Sequence, residues 1–512
     1  MAANHGSEHA SYAAIDLGSN SFHLILARRS QGQLQIVDRL RDMVRLGAGL
    51  TDSGRLSEAT QLRALEALRR FGERLREVPP AHIRAVGTYT LRQAHGRGHF
   101  LQRAGAVLGH PVEVISGQEE ARLIYRGVNF AQGPAAGRRL IIDIGGGSTE
   151  FALGERAIPQ VLESLDMGCV TYSRRFFDTG KISRRRWKAA KIAAELELQP
   201  VRQRYREHGW DEALGTSGSV RAIAGVLEAL GQGSVITAAG LQSLEQRLIE
   251  IGQIERIELP GLSAERQAVF VGGVVILQAA FEQLGIETMT PGEGALREGL
   301  LDELMMVGGE DVRQRTVEAW FERYHVDRAQ AERVATTALR CFEALRPQHP
   351  QAPPELGEML RHAAELHEVG LAVAHSGYHR HGHYLLTHGD LAGFSRENQL
   401  LIAALVRNHR RRPAPELFSE LPDFYRDHAM LLAVLLRLAV LLHRSRVSDG
   451  VPAMMLEPRP GGLKLHFPAG WLDQRPLIEA DLAQEAQWLK TAGFKLKYRE
   501  RDTAAPAHAG AA

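Results

Sequence analysis

The chain has 512 residues, of which 44% are hydrophobic, and its formal net charge is +2. One hydrophobic core cannot serve a chain of this length, so three or four domains are expected. The near-neutral charge neither requires nor excludes a polyanionic ligand, which only local clusters of charge can indicate. The two cysteines, Cys169 and Cys341, lie far apart without metal-binding spacing, which argues against a disulfide framework and favours a reducing compartment.

Targeting and membrane-spanning segments are not predicted. The first residues lack a basic stretch followed by an apolar one, so they do not resemble a signal peptide. The apolar run 270–281 is too short to cross a bilayer, and the run 429–443 carries Arg437 at its middle, so both predict buried helices. We expect a cytoplasmic protein without a transmembrane segment, and peripheral association with a membrane stays open.

Strand and helix patterns alternate through the first 308 residues. In chain order they predict strand–turn–strand (12–28), strand (35–46), helix (57–77), strands at 82–87 and 112–115, and a helix from about 117. A Gly- and Pro-rich stretch at 130–139 then indicates a boundary. Helical patterns dominate from about 309 to 446, and a short strand follows at 463–467. The predicted domains are 11–134, 135–308, 309–450 and 451–500, with a disordered tail at 501–512.

One segment of the chain is repeated. "IDLGSNSFHL" (15–24) and "IDIGGGSTEF" (142–151) align without a gap, so that Asp16 matches Asp143 and Ser21 matches Ser148. Each segment reads as a strand, a turn of small residues and a returning strand. A duplicated α/β fold of this kind places two equivalent loops across one cleft.

The second loop has the composition of an anion site. Glycines at 145–147 allow positive φ and let backbone N–H groups converge on a ligand. Such nests of amides bind phosphate, and Ser148 and Thr149 add hydroxyl donors. A lone loop of this type is more typical of a tight hairpin, but its repetition at Asp16–Ser21 favours the ligand-binding interpretation.

Two acids flank this loop, Asp143 and Glu150. A carboxylate beside a phosphate is repelled unless a cation lies between them, so both acids predict ligands for Mg²⁺, direct or through water. A P-loop is absent, and no lysine precedes Lys181, so amides, hydroxyls and arginines must bind the anion. Arg92 in "GTYTLRQA" (87–94) is a candidate for phosphate oxygens; an ordinary surface arginine is an equal alternative.

A helix predicted from residue 117 begins with two adjacent acids. Ser116 and Glu119 fit a capping box, which explains Glu119 by structure alone. Glu120 lies in the first helical turn, where the helix dipole already favours a carboxylate. The alternative function of Glu120 is that of a general base held at the cleft by a rigid helix end.

Seven motifs, in their order and spacing, resemble those of the exopolyphosphatase / guanosine pentaphosphate phosphatase family, and the resemblance covers nearly the whole chain. They are "AAIDLGSNSFHLILA", "GTYTLRQA", "ISGQEEARLIYRGV", "IIDIGGGSTEFALG", "MGCVTYSRRFF", "GTSGSVRAIAG" and "GEGALREGLLDEL". The resemblance implies an α/β plus all-α protein. Its two ribonuclease-H-like domains, of the actin-like ATPase superfamily, face a cleft (11–134 and 135–308). A helical, degenerate His-Asp-type domain (309–450) and a small α+β segment (451–500) follow.

The resemblance also implies Mg²⁺-dependent hydrolysis of a terminal phosphoanhydride, with Glu120 as the base and Asp143 and Glu150 associated with the metal. The implied phosphate-binding residues are Gly18, Ser19, Asn20, Ser21, Arg92, Gly145, Gly146, Gly147, Ser148 and Thr149. A monovalent cation such as K⁺ is a further candidate cofactor, and a homodimer is expected.

The helical part contains two basic runs. At the position where His-Asp phosphohydrolases have their metal-binding pair, this chain has His367-Glu368. The side chain of glutamate is longer than that of aspartate and would displace the metal-binding oxygens. Metal-dependent hydrolysis is therefore not expected in this part of the chain. The basic runs predict a channel for a long polyanion, and a solvated basic face is the alternative, as it is for the run 183–188. The predicted channel residues are His375, His379, Arg380, His381, Arg407, Arg410, Arg411 and Arg412.

Three functions remain open from the sequence: an exopolyphosphatase, a guanosine pentaphosphate phosphatase, and a regulator that only binds such ligands. A pure binder has no use for a base and two metal-binding acids. The Gly-Gly-Gly-Ser loop and the basic runs resemble the exopolyphosphatase branch. We therefore expect inorganic polyphosphate as the substrate, guanosine pentaphosphate as a side substrate, and no nucleic-acid partner.

Overall fold

The computed structural model describes residues 10–501 except 31–32, 52, 306–311, 349–354, 447–450 and 453. The chain divides into two compact units, Met1–Gly309 and Glu310–Ala512. Each is described below by itself.

The first half of unit 1 contains a five-stranded sheet. Its elements are β1 (Ser11–Leu17), β2 (Phe22–Ser30), β3 (Gln33–Asp42), α1 (Glu58–Leu75), β4 (Ile83–Gly87), α2 (Tyr89–Gln93), α3 (Arg97–Leu108), β5 (Val112–Val114) and α4 (Gly117–Gln132). The strand order is β3-β2-β1-β4-β5, with β1 antiparallel to β2 and parallel to β4. Strand β1 is apolar almost throughout because it is central and covered on both faces.

The second half of unit 1 contains a six-stranded sheet. Its elements are β6 (Arg138–Ile144), β7 (Thr149–Glu155), β8 (Ile158–Leu165), α5 (Cys169–Phe176), α6 (Arg184–Leu198), α7 (Arg202–His208), β9 (Glu212–Gly215), α8 (Gly218–Ala229), β10 (Ile236–Thr237), α9 (Ala238–Ile251), α10 (Ala264–Leu284), β11 (Thr288–Pro291) and α11 (Leu296–Met305). The strand order is β10-β11-β9-β6-β7-β8. Strand β6 pairs antiparallel with β7 and parallel with β9, as β1 does with β2 and β4. The repetition predicted from the sequence therefore extends to the topology of the sheets.

Helices α4 and α11 pack against each other within one apolar cluster that also includes residues of both sheets. They touch backbone to backbone at two glycines. A Cβ on Gly127 would lie 1.9 Å from the carbonyl oxygen of Ala295, and one on Gly299 would lie 2.0 Å from that of Leu123. Only glycine permits this contact, which fixes the helix that carries Glu120 against α11.

Helix α10 contains the apolar run 270–281. The prediction that this run is too short to span a bilayer is wrong, because the helix has 21 residues and is, among the described residues, the one long and apolar enough to cross a membrane. Most of its residues are buried against α5, α6, α8 and α9. That packing is typical of a core helix in a globular unit.

Unit 2 is helical and ends in a small sheet. Its elements are α12 (Val312–Tyr324), α13 (Arg328–Leu345), α14 (Leu356–Glu365), α15 (Tyr378–His388), α16 (Arg396–Asn408), α17 (Asp423–Leu442), β12 (Met455–Arg459), β13 (Gly462–Pro468), α18 (Pro476–Thr491) and β14 (Lys495–Arg501). Strand β13, which contains the predicted strand 463–467, lies between β12 and β14.

Arg437 explains how a charge is accommodated inside the apolar helix α17. Arg437 is 2% exposed, and its guanidinium forms an ion pair with Glu485 of α18. It also donates to the carbonyl oxygens of Asn408 and, over 2.6 Å, Arg411. A buried charge is tolerated when it is fully paired in this way, and this one holds the basic segment after α16 in place.

Candidate active site

Two equivalent turns meet at one place in unit 1. The first turn (Gly18–Ser21) joins β1 to β2, and the second turn (Gly145–Ser148) joins β6 to β7. A Cβ placed on Gly18 or Gly145 would lie 3.0 Å from the carbonyl oxygen of the serine three residues later, so the same close approach occurs in both turns. A Cβ on Gly146 would lie 3.0 Å from the Cβ of Ser19, which places the turns against each other.

The glycines of the second turn serve close packing. None of residues 145–147 has a positive φ, so the turn does not use the left-handed backbone that glycine allows. A Cβ on Gly147 would instead lie 2.0 Å from the ring of Tyr89, and one on Gly168 would lie 2.3 Å from the carbonyl oxygen of Gly146. The glycines are required because other residues approach the turn too closely for a side chain.

The carbonyl groups of both turns are already hydrogen-bonded. In the first turn the carbonyl oxygens of Ser19 and Asn20 accept from the N–H groups of Gly47 and Arg45, each over 2.8 Å. In the second turn those of Gly145 and Gly146 accept from the N–H groups of Cys169 and Val170, over 2.9 and 3.0 Å. The N–H groups of Gly146 and Gly147 find no acceptor within the described part of the chain. Because these four carbonyls are occupied, the turns offer mainly amide donors, which is the arrangement of an anion-binding nest.

Four carboxylates with perturbed pKa values lie near the turns: Asp16, Glu120, Asp143 and Glu150. Burial raises the pKa of each of them, and repulsion from neighbouring carboxylates raises it further in Asp16, Glu120 and Glu150. The pKa of Asp16 rises to about 7, although Arg297 lowers it. Its Oδ1 atom is buried and has no hydrogen-bond partner among the described residues.

Asp143 and Glu150 lie directly opposite each other on β6 and β7. Asp143 Oδ2 accepts a hydrogen bond from Thr216 Oγ1 over 2.5 Å. Glu150 Oε1 accepts from the hydroxyls of Ser148 over 2.6 Å and Ser164 over 2.8 Å. Each acid keeps its other oxygen for a ligand.

Glu120 is paired with Arg92. The distance from Arg92 Nη1 to Glu120 Oε2 is 2.7 Å, and the same nitrogen lies 3.2 Å from the carbonyl oxygen of Ile115. Burial raises the pKa of Glu120, whereas the guanidinium of Arg92 lowers it. Arg92 thus connects a candidate base with a candidate phosphate site.

Glu119 is more than a helix cap. Ser116 Oγ does accept from the Glu119 N–H over 3.1 Å, as the predicted cap requires. The carboxylate of Glu119, however, is fully buried and binds Arg122 with two hydrogen bonds of 2.7 and 2.8 Å. Arg122 in turn pairs with Glu303 of α11. The capping-box explanation of Glu119 is therefore incomplete, because its carboxylate belongs to a buried ion network between α4 and α11.

The acids fit a Mg²⁺ ion. Among the described residues no three His, Cys, Asp or Glu groups form a closed metal cage. Mg²⁺ does not need one, because it usually takes one or two carboxylates and completes its shell with water and phosphate oxygens. The unpartnered Oδ1 of Asp16 and the mutual repulsion among the acids are what a divalent cation would relieve.

The site also contains residues that sequence reasoning does not select. Asp16 aligns with Asp143 in the repeat, but the repeat alone does not mark it as a ligand. Thr216 and Arg297 stand in the quoted motifs "GTSGSVRAIAG" and "GEGALREGLLDEL", yet the motifs alone give them no role. His23 lies opposite Asp16, at the position that Glu150 occupies in the repeat. That substitution of His for Glu is visible in the alignment.

In unit 2 the two basic runs come together around His379. Burial and the nearby Arg407, Arg410, Arg380 and Arg411 lower the pKa of His379 to about 4. The guanidinium of Arg410 lies 4.4 Å from the ring centre of Tyr378. His375 and Arg412 are exposed, and His381 Nε2 donates a hydrogen bond to the carbonyl oxygen of Ser376 over 3.2 Å. This basic cluster has the charge that an anion requires.

Comparison with known proteins agrees with these observations. Residues 25–307 match the family model of the Ppx/GppA phosphatase family, and residues 312–486 match that of domain III of Ppx/GppA phosphatases. A crystal structure of the Aquifex aeolicus Ppx/GppA family member is 25% identical, with a TM-score of 0.50 over 59% of this chain and 100% of the other. An exopolyphosphatase from Cytophaga hutchinsonii is 24% identical, with a TM-score of 0.51 over 57% and 97%. The predicted fold class, an actin-like ATPase fold with a helical C-terminal part, is confirmed.

Proposed function

This chain belongs to the Ppx/GppA phosphatase family, and on that premise we propose that it is an exopolyphosphatase that releases terminal orthophosphate from inorganic polyphosphate with the help of Mg²⁺. The observation that carries the proposal is the meeting of two amide-rich turns close to Glu120 and the three other carboxylates of the site. A protein that only bound such a ligand would gain nothing from an acid whose pKa is raised by burial.

In the proposed reaction the two turns bind the terminal phosphoryl group through their N–H groups, and the first turn adds its serine hydroxyls. A water molecule attacks the terminal phosphorus and gives its proton to Glu120. The bond from that phosphorus to the bridging oxygen breaks, the bridging oxygen stays with the shortened chain, and orthophosphate carries away the oxygen of the water. Burial makes Glu120 a stronger base than a solvated carboxylate, and the pairing with Arg92 opposes this rise in its pKa.

The proposed Mg²⁺ ligands are Asp143 and Glu150, with Asp16 as a third acid close to them. The ion would supply positive charge to the phosphate oxygens and the leaving group. Arg92 has donors beyond its bond to Glu120, and we assign these to a phosphoryl oxygen. In the same way, the hydroxyls of Ser19 and Thr90, which lie 2.8 Å apart, line the first turn.

The basic cluster of unit 2 supports polyphosphate over a nucleotide as the substrate. A polyphosphate chain extends far beyond the phosphoryl group that reacts, so remote arginines and histidines can bind it. The cluster includes the half-buried Arg407 and Arg410 beside His379. Guanosine pentaphosphate, the alternative substrate, carries its charge on two short phosphate groups and has less use for such contacts.

The deciding experiment measures phosphate release from long-chain polyphosphate and from guanosine pentaphosphate, side by side, with Mg²⁺ and with EDTA. We expect a higher kcat/KM on polyphosphate and loss of turnover in EDTA. A Glu120→Gln variant is the control for contaminating phosphatases. A higher kcat/KM on guanosine pentaphosphate would make that nucleotide the main substrate. If neither substrate released phosphate, the protein would be a binding protein without this activity.

A further inference from the structure

The two equivalent serines of the turns have different neighbours. Ser21 is followed two residues later by His23, whereas Ser148 is followed two residues later by Glu150. In both hairpins the second residue faces an aspartate across the strands, Asp16 or Asp143. The repeated fold therefore holds a histidine and a glutamate at the same place, each bonded to its serine.

In the first turn the hydrogen of the Ser21 hydroxyl is free. His23 Nε2 lies 2.8 Å from Ser21 Oγ, and His23 Nδ1 lies 3.3 Å from Arg297 Nη1. A guanidinium only donates hydrogen bonds, so Nδ1 must accept, and a neutral imidazole then carries its hydrogen on Nε2. That hydrogen is donated to Ser21 Oγ, which leaves the serine's own hydrogen for another acceptor.

The surroundings of His23 keep the ring neutral. Apart from Asp16, which lies opposite it, the charged groups that act on the ring are Arg297, Arg41, Arg266 and Arg221. Burial and these four guanidiniums lower the pKa of His23 to about 3. A second ring hydrogen would also point at the donor of Arg297.

In the second turn the hydrogen of the serine is already used. Ser148 Oγ donates to Glu150 Oε1 over 2.6 Å, and the same oxygen accepts from Ser164. An oxygen that accepts from two hydroxyls does not itself carry a hydrogen. Ser148 therefore has only lone pairs left for a ligand.

We propose that His23 and Glu150 give the two turns opposite polarity: Ser21 donates a hydrogen bond to a phosphate oxygen, whereas Ser148 accepts from a water or contacts a cation. His23 is thus a positioning residue that acts through Ser21. The inference rests on the proposed function, which identifies the ligand. It places the phosphate oxygens at the first turn and the cation at the second.

The test measures binding of inorganic tripolyphosphate to the full chain by calorimetry, without divalent cations and then with Mg²⁺. We expect Ser21→Ala to weaken metal-free binding about tenfold or more, because a hydrogen bond to a charged oxygen is lost. Ser148→Ala should leave metal-free binding within about twofold and reduce the gain in affinity that Mg²⁺ brings. Equal weakening by the two variants without metal would overturn the proposal.

The role of His23 is tested by two further variants in the same assay. Gln at this position can donate to Ser21 with its amide nitrogen and accept from Arg297 with its oxygen, so His23→Gln should bind nearly as the parent does. His23→Leu should weaken binding as much as Ser21→Ala, and the double variant should be no weaker than either. Failure of the glutamine variant to rescue, with an unchanged melting temperature, would refute the relay. If the leucine variant does not fold, the comparison of the two serine variants still decides. Because no turnover is measured, failure of the proposed hydrolytic function, seen as no phosphate release by the parent, is a separate outcome.

Discussion

Arg92 Nη1 lies 2.7 Å from Glu120 Oε2, so the arginine proposed to bind phosphate and the proposed base form an ion pair. The two residues come from different helices, α2 and α4, and are both largely buried. Their ionisation is therefore linked: the positive charge of Arg92 opposes the effect of burial on the pKa of Glu120.

The first prediction concerns this pair. In Arg92→Gln the pKa of Glu120 should rise, by about one unit or more, because a neighbouring cation is lost. A base must be deprotonated to act, so the acidic limb of the kcat/KM profile should move to higher pH. The measurement is phosphate release between pH 5 and 9. Arg92→Lys, which keeps the charge, should move the limb less, and an unmoved limb in Arg92→Gln would contradict the assignment of Glu120.

The second prediction separates Glu120 from Glu119. Glu120→Gln should lower kcat by roughly 10²–10⁴-fold, as loss of a general base does, with the unfolding free energy little changed. Glu119→Gln should instead destabilise the fold by about 3 kcal/mol, because Arg122 loses a buried partner. Urea unfolding measures the stability of both variants.

Glu66→Gln is the matched control for Glu119, because Glu66 pairs with Arg69 at the same helical spacing but on the surface. An exposed ion pair contributes little to stability, so this variant should unfold like the parent. Equal stability of the Glu119 and Glu66 variants would contradict the buried network.

The third prediction concerns Asp16 and pH. Its pKa is about 7 in the folded chain and about 3.9 when unfolded. Between these values the folded state binds the proton more tightly, so the metal-free protein should lose stability as the pH rises from about 4 to 7. Asp16→Asn should remove this pH-dependent loss of stability. At pH 8 it should raise the unfolding free energy of the metal-free protein by up to about 4 kcal/mol, since the pKa of Asp16 differs by about three units between the folded and unfolded chain.

The measurement is urea unfolding in EDTA at pH 5 and pH 8. Asp178→Asn is the control, because Arg186 lowers the pKa of that exposed acid and its titration ends below this range. Mg²⁺ should stabilise the parent more at pH 8 than at pH 5, and should stabilise Asp16→Asn less. A destabilised Asp16→Asn at pH 8 without metal would show that the carboxylate is held by a partner.

The fold and the two turns were predictable because they depend on local sequence patterns. Apolar strands, a capping serine at residue 116 and a ten-residue repeat each depend on neighbours in sequence. The reason for the glycines at 145–147 was not predictable, since it lies in Tyr89, Ser19 and Gly168, which only the folded chain brings to the turn.

The roles of Glu119 and His23 were hidden for the same reason. In the sequence Glu119 is explained as part of a helix cap. Its ion pair with Arg122, which also pairs with Glu303 of α11, becomes visible only when α4 and α11 pack together. His23 has its partner Arg297 more than two hundred residues away. Sequence reasoning recovers the residues that a motif repeats and misses the partners that tertiary contacts supply.

The last prediction concerns the basic cluster of unit 2 and separates a polymer enzyme from a nucleotide enzyme. Replacing Arg410, Arg411 and Arg412 together would mix two effects, because the backbone of Arg411 has a positive φ and its carbonyl oxygen binds Arg437. The cleaner variant is Arg407→Gln with Arg410→Gln. If these guanidiniums bind the distal part of a chain, KM for long polyphosphate should rise roughly fivefold, as the loss of two charge contacts that solvent partly screens implies.

Short oligomers should be hydrolysed as by the parent, and gels should show intermediate lengths that the parent does not release. The effect should shrink at high salt, because the Debye length falls from about 10 Å at 0.1 M to about 3 Å at 1 M. Arg184→Gln with Arg185→Gln is the control: it removes the same charge from an exposed basic run in unit 1. A nucleotide phosphatase would show no dependence on chain length. Parent-like kinetics on long chains at low salt, or an equal effect of the control, would make the cluster a solvated basic face.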